Sequence, residues 1–274
     1  MYIRFKDGKP KAFTLSYDDG VVQDIRLADI FNKNGLKATF NINSGMLAPE
    51  DIKRERFDGR MKLSEAKDLY LNSGHEVAVH AHTHPSLAMI KTTEVIEEIL
   101  TDRTILEREF NTIVRGMAYP NGSINDNVVR ILKDCGICYS RTTHSTGSFG
   151  IPNNWLTLNP TCHHNDKKLM EYAETFLDTR YPWRRNPLFY VWGHSYEFDN
   201  DNNWDVIEEF AKFMGGHDNV WYATNIEIYD YVQAYNSLQI SVDKKMIHNP
   251  TALDVWVEDN DIIHIKAGET VVRN

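Results

Sequence analysis

The chain has 274 residues, of which 42% are apolar and 25% are charged, and its formal net charge is −9. This composition is typical of a globular protein with a sizeable core, and the acidic balance argues against nucleic acid or an anionic membrane as a partner. No apolar run approaches the ~18 residues of a membrane span, and the N-terminus lacks the layout of a signal peptide. We therefore expect a cytoplasmic protein, or a secreted one if a signal has been trimmed away.

Strands and helices are predicted to alternate along most of the chain. The predicted strands are rich in apolar residues and cover residues 11–17, 38–43, 76–79, 113–119, 137–141 and 188–192. The predicted helices have an apolar stripe and cover residues 22–34, 64–71, 93–110, 125–135, 168–177, 204–214 and 225–235. Residues 142–165 are predicted to be a long connection. Strands that alternate with helices indicate an α/β fold with parallel strands.

The pattern changes after residue 237, where four short alternating segments predict β-strands. They cover residues 238–242, 253–257, 262–265 and 270–272. We therefore predict one catalytic domain over residues 1–236 and a small β-appendage over residues 237–274 that packs on it.

Chemically reactive side chains follow four of the predicted strands, directly after the strand ends. They are Asp18 and Asp19, the histidines His80, His82 and His84, the pair Tyr119 and Asn121, and His194. Active sites of barrel-type α/β folds lie at the carboxyl ends of the strands, so we expect these side chains to meet there.

A metal site is the first interpretation of this set. His80 and His84 can face one ion, and with Asp19 they form a two-histidine, one-carboxylate set that suits zinc, and also iron, cobalt or nickel. Asp18 is then left as a base. The plainer alternatives stay open: Asp18 and Asp19 can belong to a simple Asp-Gly turn, and His82 can be structural.

The remaining candidates each have two interpretations. Asn121 lies in a turn-forming sequence, but beside a metal its N–H can stabilise an oxyanion. His194 can be a structural cap or a general acid. Cys135 and Cys138 have metal-site spacing, but without a second such pair buried thiols are the favoured interpretation.

The order of these motifs resembles that of the polysaccharide deacetylases, carbohydrate esterase family four. Residues 14–20, Thr-Leu-Ser-Tyr-Asp-Asp-Gly, are similar to the first motif, which implies that Asp18 is the base and Asp19 a metal ligand. Residues 80–85, His-Ala-His-Thr-His-Pro, are similar to the second motif, whose outer histidines bind the metal.

Two further motifs resemble those of the family less closely. Residues 119–122, Tyr-Pro-Asn-Gly, are similar to the third motif, but Ala118 stands where the family has an arginine. Residues 192–194, Trp-Gly-His, are similar to the fifth motif, which implies that His194 is the general acid. Trp192, His163 and His164 are expected to line the pocket.

The resemblance implies a distorted (β/α) barrel with one divalent ion, zinc before cobalt, nickel or iron. It also implies a metal-dependent hydrolase that removes N- or O-acetyl groups from an acetylated saccharide. A narrower likeness is to the deacetylase-like domain of gellan lyase. Two alternatives remain: an amidase of the same fold with a non-sugar substrate, and a degenerate carbohydrate-binding protein. The oligomeric state is left open.

Overall fold

The computed structural model describes residues 1–53, 59–71, 73–178 and 186–273. Its strands are β1 (Tyr2–Arg4), β2 (Lys11–Asp18), β3 (Ala38–Ile42), β4 (Glu76–Val79), β5 (Gly116–Ala118), β6 (Tyr139–Arg141), β7 (Cys162–His163), β8 (Leu188–Gly193), β9 (Val220–Tyr222), β10 (Gln239–Ile240), β11 (Met246–His248), β12 (Val255–Asp259), β13 (Asp261–Ile265) and β14 (Thr270–Val272). Its helices are α1 (Gln23–Lys33), α2 (Leu63–Tyr70), α3 (Thr92–Phe110), α4 (Asp126–Asp134), α5 (Leu169–Leu177), α6 (Tyr196–Asn200), α7 (Trp204–Met214) and α8 (Asn225–Asn236).

Eight parallel strands form a sheet that curls into a half-barrel. Seven strands follow the order β6-β5-β4-β3-β2-β8-β7, and β9 also pairs with β2. All eight residues of β2 are buried, as expected for a central parallel strand with both faces covered. The carboxyl ends of β2, β4, β5, β6 and β8 therefore meet at one edge, and the predicted α/β barrel fold is confirmed.

Helices cover the outer face of the sheet through apolar stripes. α1 buries Leu27, Ala28 and Phe31, and the chain turns out of the helix at Gly35, whose φ of +67° favours glycine. α7 buries Ile207 and Phe210. Burial of each such large side chain stabilises the fold by about 1.5–3 kcal/mol, and the half-barrel that results holds the loops at its edge in position.

The C-terminal strands form two small antiparallel sheets, one of which includes the start of the chain. The first sheet has the order β1-β12-β13, and the second has the order β10-β11-β14. Tyr231 on α8 ties the first sheet to the half-barrel, because its hydroxyl donates to the carbonyl of Arg4 and accepts from the N–H of Trp256. The proposed boundary near residue 237 stays a prediction.

Several predicted elements need correction. The strand predicted over 113–119 is only β5, because the Ile113 side chain points to solvent and is 74% exposed. The connection predicted over 142–165 contains β7 and a short 3-10 turn over Trp155–Thr157. β1, β9, β11 and α6 were not predicted, because three to five residues are too few for a clear hydrophobic period.

The first strand of the tail, predicted over 238–242, is limited to β10, and Val242 is fully exposed. In the part of the chain that the structure describes, no helix combines the length and the apolar character that crossing a bilayer requires.

Candidate active site

Asp19, His80 and His84 come together at the carboxyl edge of the half-barrel. Their possible ligand atoms all lie within 4.8 Å of one another. Nε2 of His84 is 3.6 Å from Oδ1 of Asp19, and Nε2 of His80 is 4.0 Å from the same oxygen. Asp19, Ala81 and His84 all have positive φ, a costly conformation for non-glycine residues that is concentrated at functional sites.

The environment of His80 prepares it as a neutral ligand. Its Nδ1 donates to the carbonyl of Ala118 at 2.8 Å, so the lone pair is on Nε2, the nitrogen that faces Asp19. Burial lowers the pKa of His80 to about 4 despite the nearby aspartates. A two-imidazole, one-carboxylate donor set with this tautomer fits a divalent ion such as zinc.

Asp18 lies beside this group as a buried carboxylate with four close polar neighbours. Its Oδ1 accepts from Nδ2 of Asn41 at 2.8 Å, and its Oδ2 accepts from Nη2 of Arg141. Nε2 of His80 and Nε2 of His194 are each 3.9 Å from Oδ2. Burial alone raises the pKa of Asp18, but Arg141 and the two imidazoles outweigh burial and lower the pKa to about 2.

Arg141 is a site residue that the sequence did not reveal. It is the last residue of β6 and is only 1% exposed. Its guanidinium carbon lies 4.3 Å from the centre of the Trp192 ring, and the guanidinium also donates to the carbonyl of Thr142. In the pairing of β5 with β6, Arg141 lies directly opposite Ala118. The cation is therefore present at the same level of the barrel, one strand away from the expected position.

Arg60 is a second basic residue that was not predicted. Its guanidinium donates to Oδ1 of Asp19 at 3.0 Å and also to the carbonyl oxygen of Asp19. These contacts hold Asp19 in its left-handed conformation, in which φ is 87°. No sequence signal marks Arg60, because it follows a charged, aperiodic stretch.

Tyr119 and Asn121 occupy different positions in the third motif. The N–H of Tyr119 donates to the carbonyl of Arg141, and its hydroxyl donates to the carbonyl of Leu156. Asn121 has a φ of 57°, and its side chain donates to the hydroxyl of Ser86. Asn121 lies in a short 3-10 turn over Pro120–Gly122, directly after Tyr119.

His194 belongs to a cluster of three imidazoles around one carboxylate. Oε2 of Glu197, which was not predicted, is 3.4 Å from Nδ1 of His194 and 3.2 Å from Nε2 of both His163 and His164. Trp192 adjoins the cluster, since its ring packs edge-on against His163 at 4.6 Å. The pocket residues expected from the sequence are thus neighbours, although His164 is buried and only His163 and His194 reach solvent.

Comparisons with known proteins agree with this architecture. Residues 5–140 match the family model described as polysaccharide deacetylase. A Mycobacterium smegmatis structure assigned to the polysaccharide deacetylases aligns at 17% identity over 86% of this chain and 94% of that chain, with a TM-score of 0.59. The family 4 carbohydrate esterase from Streptomyces lividans, in complex with acetate, aligns at 14% identity over 77% and 90% of the two chains, with a TM-score of 0.50.

A third solved structure is a mutant of a family 4 carbohydrate esterase pseudoenzyme with restored enzymatic activity. It aligns at 19% identity over 84% of this chain and 71% of that chain, with a TM-score of 0.52. At these identities the likeness shows the fold alone. The comparison with curated protein sequences gives no match.

The half-barrel has the (β/α) barrel fold of the carbohydrate esterase family 4 deacetylases, and the acid–imidazole group lies at its carboxyl edge. The match of residues 5–140, just under half of the chain, is to the polysaccharide deacetylase family, also called carbohydrate esterase family 4. The narrower likeness to the deacetylase-like domain of gellan lyase stays a prediction.

Proposed function

We propose that the protein is a metal-dependent hydrolase that removes N- or O-acetyl groups from a carbohydrate. The observation that carries this proposal is the position of Asp18. It is a buried, ionised carboxylate whose Oδ2 lies 3.9 Å from Nε2 of His80, a member of the Asp19–His80–His84 group, and 3.9 Å from Nε2 of His194. This is the arrangement that a base and an acid need around one reacting carbonyl group.

Asp19, His80 and His84 would hold one divalent ion, for which we propose zinc before cobalt, nickel or iron. The neutral tautomer of His80 and the mixed nitrogen and oxygen donors support this choice. When bound, such an ion supplies Lewis acidity and lowers the pKa of water.

The chain's own residues then divide the proton transfers. Oδ2 of Asp18 takes a proton from the attacking water, while Arg141 and Asn41 keep this carboxylate oriented. Nε2 of His194 gives a proton to the departing amine or alcohol, and the N–H of Asn121 stabilises the tetrahedral oxyanion. Because Asp18 stays ionised at any pH near neutrality, we expect the pH dependence to come from His194.

Trp192, His163 and Tyr119 form the wall beside these groups. Trp192 is 8% exposed and carries the Arg141 guanidinium on its ring, so its main effect is on the position of that cation. His163 is the more accessible member of the histidine pair and is proposed to contact the sugar. Tyr119 would shape the pocket by fixing the third motif, because its polar groups are already bonded.

Two alternatives are weighed by the same residues. The absence of the family arginine at position 118 favoured a non-sugar amide substrate, but Arg141 supplies that cation and weakens the argument. A carbohydrate-binding protein without activity is suggested by the pseudoenzyme relative. Binding alone requires no buried base beside a ligand group, and this chain retains Asp18, Asp19, His80 and His84.

The test combines metal analysis with product release. Purified wild-type protein and Asp18→Asn are analysed for bound metal and then incubated with acetylated amino sugars, acetylated xylans and small cyclic amides. We expect one metal equivalent in both proteins and acetate release only by wild type. A wild-type protein that binds no metal and releases acetate from no saccharide would exclude the proposal, and cleavage of the cyclic amides alone would favour the amidase.

A further inference from the structure

Glu197, His163 and His164 form a cluster that adjoins His194. They lie outside the first, second, third and fifth motifs of the family, and within residues 162–164 and 192–198, which carry the narrower likeness to the gellan lyase domain. Its geometry follows from the pairing of β7 with β8, in which His163 is opposite Trp192 and the N–H of His164 donates to the carbonyl of Trp192. α6 starts two residues after His194, so Glu197 returns one turn later to face the same histidine.

Gly193 is required by this arrangement. A Cβ at position 193 would lie 1.9 Å from Nδ1 of His164, a distance at which no side chain fits. The His164 ring therefore fills the space beside Gly193, stacked between Tyr17 and Phe198 with centroid separations of 5.6 Å and 4.2 Å. Gly193, the middle residue of the Trp-Gly-His sequence, is therefore explained by His164, which follows the neighbouring strand β7.

The protons on His163 and His164 face Glu197. Nδ1 of His163 accepts from the N–H of Asn165 at 3.1 Å, so the proton of the neutral ring is on Nε2, which is 3.2 Å from Oε2 of Glu197. His164 is 1% exposed, and within the described residues its nitrogens make no regular hydrogen bond. Oε2 of Glu197, 3.2 Å from its Nε2, is the acceptor that can satisfy this buried donor.

We propose that Glu197 is the positioning residue of His194, and that His163 and His164 hold its carboxylate in place for that task. The inference rests on the proposed function, in which His194 gives up a proton. Glu197 also accepts from the backbone N–H of His194 at 3.2 Å, which fixes the carboxylate to the main chain of the acid. Its Oε2 lies 3.4 Å from Nδ1 of the His194 ring, and among the described residues this buried nitrogen makes no regular hydrogen bond, so Glu197 is the acceptor within its reach.

The charged groups around His194 support the assignment of Glu197 as its positioning residue. Asp18 and Asp19 face it from the end of β2, Glu197 and Tyr196 from α6, and His163 and His164 from the end of β7. Burial lowers the pKa of His194, but Glu197 followed by Asp18 outweighs burial and raises it. Burial raises the pKa of Glu197, but the side chains of His163, His164 and His194 outweigh burial and lower the pKa far below its ordinary range, so its charge is available to His194.

A second metal ion is the competing explanation, because the ligand atoms of His163, His164 and Glu197 also lie within 4.8 Å of one another. An ion on Nε2 of His163 would require the proton on Nδ1, where the ring accepts from Asn165. The tautomer of His163 therefore favours protons over an ion in this cluster.

The experiment compares wild type with Glu197→Gln, Glu197→Asp and, as a matched control, Glu208→Gln, an exposed glutamate paired with Arg26 on the surface. We expect Glu197→Gln to reduce kcat on the order of 100-fold, with KM little changed, because proton transfer is affected and binding is not. Loss of the anion lowers the pKa of His194, so the alkaline limb of the kcat profile should move to lower pH. Glu197→Asp should recover part of both effects.

A readout that does not depend on turnover separates this inference from the proposed function. Nitrogen-15 NMR of the histidine rings should show a proton on Nδ1 of His194 and on Nε2 of His164 in wild type, and a lower pKa of His194 in Glu197→Gln. Unmoved His194 signals together with an unmoved alkaline limb would reduce Glu197 to a structural residue. Loss of a second metal equivalent in Glu197→Gln would replace the proposal with a metal site. If wild type releases no acetate, the NMR measurement alone decides whether Glu197 controls His194.

Discussion

Arg141→Met removes the buried cation that faces Asp18 but keeps an apolar side chain against the Trp192 ring. The two charged side chains are only 1% and 3% exposed. Removing one partner of such a buried pair costs about 3–5 kcal/mol, because the other charge stays without compensation. The pKa of Asp18 gives a similar figure, since the difference between 3.8 and about 2 corresponds to roughly 2–3 kcal/mol.

The sign of the pH dependence follows from the lowered pKa. Asp18 contributes stability above its unfolded pKa of 3.8, and this contribution is lost as the pH falls through about 2. Arg141→Met should therefore be less stable than wild type by about 3 kcal/mol at pH 7, and the difference should shrink toward pH 2. Urea unfolding of chelator-treated protein measures this difference, and acetate release measures the effect on the base.

The control is Arg108→Met, which removes an exposed arginine of a surface pair on α3. A double variant, Arg141→Ala with Ala118→Arg, tests the position of the cation, because the two residues are opposite each other in register. We expect it to recover part of the lost activity. If Arg141→Met is as stable and as active as the control, Arg141 does not hold Asp18 and the argument fails.

Three further predictions concern buried acids and the metal. Burial above all raises the pKa of Asp24 to about 7, so its contribution to stability falls as the pH rises from about 4 to 7. Asp24→Asn should reduce this fall by up to roughly 3 kcal/mol between unfolding measurements at pH 5 and pH 8, and an unchanged slope would contradict this. Asp102 accepts from the N–H groups of Ser44 and His80, so the NH2 group introduced by Asp102→Asn would face one of these two donors. This variant should lose about 1–3 kcal/mol and bind metal more weakly by calorimetry, whereas metal affinity equal to wild type would show that His80 does not depend on Asp102. Chelation should lower Tm, and metal at 100 times its Kd should restore about 2.7 kcal/mol; a Tm independent of metal would argue against a folded-state site.

The sequence predicted that the candidate site residues would lie close together, because each of them follows the carboxyl end of a strand and these ends share one edge of the barrel. Asp19 follows β2 and His80 follows β4, and parallel strands in one sheet bring such positions to the same side. The structure places the ligand atoms of both residues with those of His84 within 4.8 Å. Sixty residues of intervening chain do not matter to this inference, since it depends only on where each strand stops.

The charged partners of these residues could not be predicted in the same way. Glu197 and Arg60 are ordinary charged residues in the sequence, and their roles depend on how a short helix and a loop return to the edge. The one sequence signal for Arg141 was its position at the end of a predicted strand. A charged residue at such a position is either exposed to solvent or part of a functional site. Only the register of β5 with β6 and the contact of Arg141 with Asp18 show that it is part of the site.

The position of Arg141 also shows why a missing motif residue is weak evidence against activity. Asp18 needs a cation at Oδ2, and the half-barrel offers that point to side chains from several strands. Neighbouring strands are about 4.8 Å apart, a separation that the long arginine side chain can cover. A residue in register on β6 can therefore supply a cation to Asp18 in place of one on β5. The base requires a positive charge beside it, and Arg141 supplies that charge although position 118 is an alanine.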